Sequence, residues 1–414
     1  MTNAKKQHQL YNDTFASRNI KSSPSIISSE LIDKNELTNG KNVFYKSFLY
    51  PEDRAPRKNL AIWINELTNE LDYIKDNISS GINADKLSRL MNLTSLVHCS
   101  MGNIEDAQTI CYKQIEYFVR LSKDDISLLH YCIQPWINLA RIDRILNRFD
   151  QAKEKLEIFK LLDGDTKKIS ILHHQIERSS LVDAINGHLE TKNVVKTCSF
   201  FDVIKIYLTA NRYQEMVDLA ENYLGDAALK GIAYEAAIIG YISMKNTKKA
   251  FDVAQSALIN ISPKLLHIFL FRQAELHIID NNKKFEEIFF KLFELIKYYE
   301  GCNAYIQNAV FSAKVAGQFL KYGFNRLAND SLEIAILLAK RSNDELLIIE
   351  CLEGLVKFDD FGIYKKSLKT VLENTGYISV INKYSMQDKN NSAESFIVLT
   401  KNANLLFNSL QSIL

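Results

Sequence analysis

The densest run of chemistry-bearing side chains in the sequence is His173-His174-Gln175-Ile176-Glu177. On a helix, His174 and Glu177 share a face at the three-residue spacing of carboxylate–histidine metal sites. Such a site needs a second half, and no other stretch supplies one, so a solvated helix face is the simpler reading. His98-Cys99 and His130-Tyr131-Cys132 bring imidazole and thiol together in sequence, but close neighbours on a helix do not face each other. A cysteine nucleophile needs its base within hydrogen-bond reach. The six cysteines (Cys99, Cys111, Cys132, Cys198, Cys302 and Cys351) contain no C-x-x-C pair, and read as small hydrophobes of a core. The phosphate-loop, dinucleotide, zinc-protease and nucleophile-elbow signatures are all absent from the sequence. The expectation is a non-catalytic chain with no metal and no cofactor. A helical accessory or catalytic protein of a biosynthetic pathway, its site built from scattered residues, stands as an alternative.

The elements that would position any such residues are helices. The 414 residues include only 5 prolines and 14 glycines, and since proline breaks helix interiors, so sparse a distribution permits helix almost throughout. With 47% hydrophobic and 24% charged residues the composition is that of a folded globular protein. A net charge of +2 gives no chain-wide attraction to phosphate backbones or anionic lipid, so neither a nucleic acid nor a membrane is expected as a direct partner. The longest nearly uncharged apolar run, Ala236 to Met244, is about half a membrane span. The opening MTNAKKQHQLYNDTF has no apolar core behind its lysines, as a secretory signal would. A cytoplasmic location is expected.

Residues 1–41 are polar, rich in Ser, Asn and Lys, and read as a flexible arm. Residues 42–82 form an aromatic segment, with Phe44, Tyr45, Phe48, Leu49 and Tyr50, followed by a capping helix whose stripe is Leu60, Trp63, Leu67, Leu71 and Ile74. From 83 to 375 about seven helical hairpins are expected. They include Asp85–Met101 with Ile104–Leu121 around Gly102, and Trp136–Leu146 with Phe149–Leu161 around Asn147. A turn at Asp163-Gly164-Asp165 precedes an expected helix from Ile169 to Ile185. The turns at Asn281-Asn282 and Asp359-Asp360 look longer and the units there less regular. Residues 376–414 comprise an exposed loop, Ser385 to Ser395, and a closing helix from Phe396.

Two of these stretches repeat each other. IYLTANRYQEMVDLAENYL, Ile206 to Leu224, superimposes on GYISMKNTKKAFDVAQSAL, Gly240 to Leu258, at an offset of 34 residues: Tyr207 with Tyr241, Asp218 with Asp252, Ala220 with Ala254. Trp136-x-x-Leu139-Ala140 followed by Asn147-x-Phe149-x-x-Ala152 repeats the pattern, as do Ala316, Phe319, Gly323, Ala328 and Ala335. This resembles the tetratricopeptide repeat, a 34-residue helix-turn-helix unit with small and aromatic residues at fixed places. The resemblance implies an all-α, right-handed solenoid of helical hairpins. Small residues such as Ala152, Ala250 and Ala328 would let paired helices approach, and Trp136, Tyr207, Tyr241 and Phe319 would fill the space between units.

The resemblance also implies a binding surface. First helices of such units line a concave groove that holds extended peptides, so Asn138, Arg141 and Ile145, opposite Trp136 and Leu139 with Arg144 beside them, become candidate contacts. Lys205, Arg272, Lys314 and Lys321 lie at comparable places in other first helices. Asn138 occupies a position that grips peptide backbone in such clamps, and the cations could pair with acidic side chains or a terminal carboxylate. The competing reading is a set of solvated charges balanced by Asp143, Asp202, Glu235 and Glu275. The expected function is a scaffold or adaptor for a protein or peptide, a second copy of the chain included. A regulator resembling bacterial peptide-responsive tetratricopeptide receptors is the alternative, although residues 1–56 carry no helix-turn-helix that would bind DNA.

Overall fold

In the computed structural model, the described residues are 59–77, 83–156, 168–171, 174–177, 189–261, 266–300, 305–359, 362–377, 380 and 390–411. They fall into two compact units. The terminal unit comprises Lys58–Ile206 with Lys369–Leu414, and the described part of the central unit is Tyr207–Leu368. The polar arm, the aromatic segment and the Asp163–Asp165 turn lie outside the described residues.

The terminal unit opens with α1 (Leu60–Asp76). Asn59 caps it by accepting from the backbone N–H groups of Ala61 and Ile62, and the expected stripe of Leu60, Trp63, Leu67, Leu71 and Ile74 is buried to the last residue. Then come α2 (Ala84–Ser100), α3 (Ile104–Leu121), a 3-10 segment (Ile126–Cys132), α4 (Ile133–Ile145) and α5 (Phe149–Leu156). Each packs on its sequence neighbour, and α2 also touches α4. After an antiparallel strand pair, β1 (Lys168–Ile171) and β2 (His174–Glu177), α6 runs from Leu189 to Thr209. α16 (Asn390–Gln411) packs on α1 and α2. Buried His98 of α2 meets the Ala403 carbonyl at 3.2 Å, with Phe407 against its ring. Gly376 fits in the same seam, since a Cβ there would lie 2.6 Å from Leu399.

The central unit contains α7 (Tyr213–Glu221), α8 (Lys230–Ser243), α9 (Thr247–Asn260), α10 (Leu266–Ile279), α11 (Lys284–Glu300), α12 (Tyr305–Lys321), α13 (Asn325–Ser342) and α14 (Glu345–Leu355). α15 (Ile363–Glu373) spans the boundary back to the terminal unit. From α7 to α14 each helix packs on the next, and α8 also touches α10, α11 touches α13, and α12 touches α14. This is the contact pattern of a helical repeat. Phe285, Phe289, Phe293 and Phe319 form the aromatic seam of α11 and α12, with Phe289 and Phe319 edge to face at 5.3 Å. Gly240 lets α7 and α8 close up, because a Cβ there would stand 2.4 Å from Val217.

One turn recurs. Gly102, Asn147, Asn211, Lys245, Asn281 and Gly323 each take a left-handed conformation at the end of a first helix. In every case two backbone bonds close the same Schellman cap. At Asn147 they are Asn147 N–H to the Arg144 carbonyl at 3.1 Å and Arg148 N–H to the Asp143 carbonyl at 2.8 Å; at Lys245 they run to Ile242 and Tyr241. Asn and Gly bear this backbone most cheaply. Ala107, Ala152, Ala250 and Ala328 follow five residues after four of these turns and are all fully buried. The Asn281 turn is as tight as the others, contrary to the sequence expectation. The disguise is chemical, for Glu286 stands where the others place Ala or Met. The 34-residue spacing holds between Asn211 and Lys245 alone; the 3-10 segment lengthens the step from Gly102 to Asn147.

Two expectations are corrected. Lys168–Ile171 and His174–Glu177 form strands rather than the start of a helix, in register Ile169 with Ile176 and Ile171 with His174, and residues 178–185 of the expected helix lie outside the described residues. Alternation of isoleucine with polar residues in Lys168–Ile171 suits a pleated backbone better than a helix. Helix α16 begins at Asn390 rather than Phe396; Asn and Ser residues there occupy opening turns, where they are well tolerated.

Candidate functional site

The left-handed turn residue serves as a ruler along each first helix. Nine residues before it stand Asn138 in α4, Asp202 in α6, Arg272 in α10 and Lys314 in α12. Six before it stand Arg141, Lys205, Glu275 and Gly317, and three before it Arg144, Leu208, Ile278 and Leu320. Ile145 and Lys321 stand two residues before the turn; the other six residues singled out from the sequence as groove contacts lie at these three positions. Four belong to the terminal unit and two to the central unit.

In the terminal unit the stripe carries a hydrogen-bonded ladder across α2, α4 and α6. Asn138 donates to Asn92 at 3.2 Å and accepts from Gln134 at 3.0 Å. Arg141 reaches the Asn138 side-chain oxygen at 3.3 Å and binds Asp202 through Nε at 2.8 Å. Asp202 is buried while the Arg141 side chain remains 36% exposed, so this ladder is open to solvent on one side. Lys205 places its ammonium 4.2 Å from the Phe201 ring centre. Exposed Leu96 and Ile145 give the polar stripe apolar neighbours.

Arg144 differs from its counterparts. Cys99, Leu208, Ile242, Ile278 and Leu320 occupy its position in the other first helices. The Arg144 Nε is buried and finds no hydrogen-bond partner among the described residues. Burial pulls this guanidinium below its usual value; Asp202 opposes the fall and Arg141 adds to it. Asp143, expected to neutralise the stripe, instead faces Lys155 at 2.7 Å and Arg148 at 3.8 Å, because four residues before the turn it belongs to the inter-helix seam.

On α10 of the central unit the same positions are sealed, whereas on α12 Lys314 is half-buried and Gly317 exposed. Arg272 is fully buried and binds Glu235 at 2.5 Å through Nη2 and Glu275 at 2.7 Å through Nη1. It is thus removed from any groove surface, a correction to its expected role: two carboxylates already take its hydrogen bonds. Burial pushes the Glu275 carboxyl up to about 7 against the pull of Arg272, with Lys314 also holding it down. Its second oxygen, Oε1, is buried without a hydrogen-bond partner among the described residues.

The candidate catalytic pairs come apart. His98 is engaged with Ala403, and Cys99 is pushed up by burial. His130 meets the Ser127 carbonyl at 2.5 Å, and the Cys132 thiol is raised to about 12 by burial. Neither cysteine has thiolate character. β2 places His174 and Glu177 on a strand, where the helical spacing that suggested a shared face does not apply. Among the described residues no cluster of three or more His, Cys, Asp or Glu could hold a metal ion, and no helix is long and apolar enough to cross a membrane.

Sequence reasoning missed Asn92 and Gln134 as ladder members. Asn92 stands ten residues before Gly102, in a hairpin whose small residues are out of step with the repeat, so only the turn geometry aligns it. Compared with protein-family models and with curated proteins, the chain matches none.

Proposed function

We propose that this chain is a right-handed solenoid of tetratricopeptide-type hairpins that binds an extended peptide or a partner protein along its first helices and performs no chemistry. The observation that carries the reading is the open ladder Asn92–Asn138–Arg141–Asp202 across α2, α4 and α6 of the terminal unit. Side-chain amides there can exchange their mutual bonds for those of a peptide backbone at little cost. The buried carboxylate of Asp202 keeps Arg141 in place meanwhile. Leu96 and Ile145 supply apolar contact at the edge. Arg141, Arg144 and Lys205 outnumber Asp202 on this stripe, which favours an acidic segment or a free C-terminal carboxylate. The reading places the chain in the cytoplasm, where free thiols such as Cys111 and Cys351 persist.

The test is affinity capture from lysate with the full chain beside an Asn138→Ala/Arg141→Ala double variant, followed by titration of the purified partner. A partner held by the first and lost by the second, with both folded by circular dichroism, supports the reading. A partner held equally by both moves binding away from the ladder.

A further inference from the structure

We propose that the outer faces of α1 and α16 form the interface of a homodimer in which α16 of each copy lies on α1 of the other. The surface belongs to the terminal unit and uses none of the ladder residues, so the inference is independent of the peptide-binding reading. α1 and α16 pack on each other and both lie on α2, so their outer faces point the same way, away from it. α16 buries Leu399, Ala403, Leu406 and Leu410 on its inner side, yet its Ile397, Val398 and Leu405 are each more than half exposed. A helix that is apolar on both sides is built to be covered on both. Ile397, Lys401 and Leu405 also line a cleft of about 560 Å³. The outer face of α1 adds Ile62 and Tyr73, again more than half exposed, with the Lys86 ammonium of α2 at 4.2 Å from the Tyr73 ring centre. Large apolar side chains gathered on one surface mark an interface.

Charge identifies the second copy as the occupant. Between Ile397 and Gln411, α16 carries one charged residue, Lys401, and no carboxylate. The outer face of α1 presents the exposed carboxylates of Glu66, Asp72 and Asp76, and α1 has no exposed cation. The surface is thus divided into a cationic, apolar half and an acidic half beside it, which makes it self-complementary. A two-fold axis running along the seam between the helices sets α16 of each copy on α1 of the other, with Lys401 toward the acidic face and Ile397 and Leu405 toward Ile62 and Tyr73. An axis across the helices would instead stack α1 on α1, carboxylate on carboxylate. The size fits as well. α1 and α16 number 17 and 22 residues, about 25 Å and about 33 Å long, and side by side at about 10 Å each they offer an area on the order of the 800 Å² per partner that a stable interface buries.

The test is sedimentation of the full chain from about 1 to about 100 µM. Wild type should pass from the 47.5 kDa of one chain to twice that mass. Lys401→Glu, and separately the double variant Glu66→Lys/Asp72→Lys, should each raise the dimer dissociation constant at least about tenfold. An equimolar mixture of those two variants should regain affinity as a heterodimer, since each α16 again meets an α1 of opposite sign. Leu405→Ser, a neutral change on the same face, should also weaken the dimer. The changed side chains are exposed, so every variant should keep the wild-type circular dichroism spectrum. A wild type that stays at the mass of one chain at every concentration overturns the proposal, as does a dimer that Lys401→Glu and Leu405→Ser both leave unchanged. If Leu405→Ser weakens the dimer and Lys401→Glu does not, α16 pairs with α16 and the crossed arrangement falls.

Discussion

The ladder of the terminal unit and the triad of the central unit occupy similar helical positions and each set an arginine on a buried carboxylate, yet they are built for opposite ends. Arg272 is enclosed with Glu235 and Glu275, so its donors are consumed by the fold. Arg141 has one buried carboxylate and an open flank, and the Nε of Arg144 next to it finds no hydrogen-bond partner among the described residues. Burial separates the two. A fully buried arginine must be paired internally to be tolerated, and the pairing makes it structural. A half-exposed arginine keeps donors to spare. Charged residues on a repeat's inner face therefore carry functional meaning only once their depth is known.

The sharpest way to break the comparison is Arg272→Met. It strands two carboxylates in the core and should cost about 3–5 kcal/mol in denaturant unfolding of the full chain, while a joint change of Arg272, Glu235 and Glu275 to apolar residues should recover most of the loss. If Arg272→Met is harmless, the triad is not structural. Second comes pH. Glu275 has its folded value raised from 4.5 to about 7, so the folded state binds the extra proton. Its contribution is fully present below about 4.5, declines as pH rises and is lost above about 7, a change on the order of 3 kcal/mol at most. Unfolding curves across that window should slope downward for wild type and flatten for Glu275→Gln.

Arg141→Met should cost less than Arg272→Met, about 1–2 kcal/mol, since solvent reaches the flank that Arg141 vacates. Equal losses in the two variants would erase the distinction between open and closed ladders. The smallest effect lies outside both. Lys245 is the one turn residue other than Asn or Gly among the six, held at φ 62°, and Lys245→Gly should raise the melting midpoint by an amount equivalent to about 0.5–1 kcal/mol.

Much of this architecture was legible in the sequence because its signals are local. The stripe of α1, the small residues Ala152, Ala250 and Ala328, and the turn residues Gly102 and Asn147 follow from helix periodicity and backbone preference. The stripe of candidate contacts was legible too, since helical spacing alone aligns Asn138, Arg141 and Arg144. Depth was not. Arg272 and Arg141 look alike in sequence, and only the packing of α8 against α10 shows that Glu235 lies beneath the first. The strand pair at 168–177 escaped because four-residue strands carry little periodicity to set against the helical prior of the flanks.

The docking of α16 against α1 and α2, through Ala403 and Phe407 on His98, also bears on how the chain is made. The partners are 305 residues apart in sequence, so α1 and α2 leave the ribosome about 15–60 s before their closing helix exists. During that interval His98 lacks the Ala403 carbonyl and the Phe407 ring, whereas the central hairpins find their cover within a few dozen residues of synthesis. The terminal unit is thus the portion of a nascent chain that would most need a chaperone's shelter, and a stop codon just before Asn390 would leave it permanently unfinished.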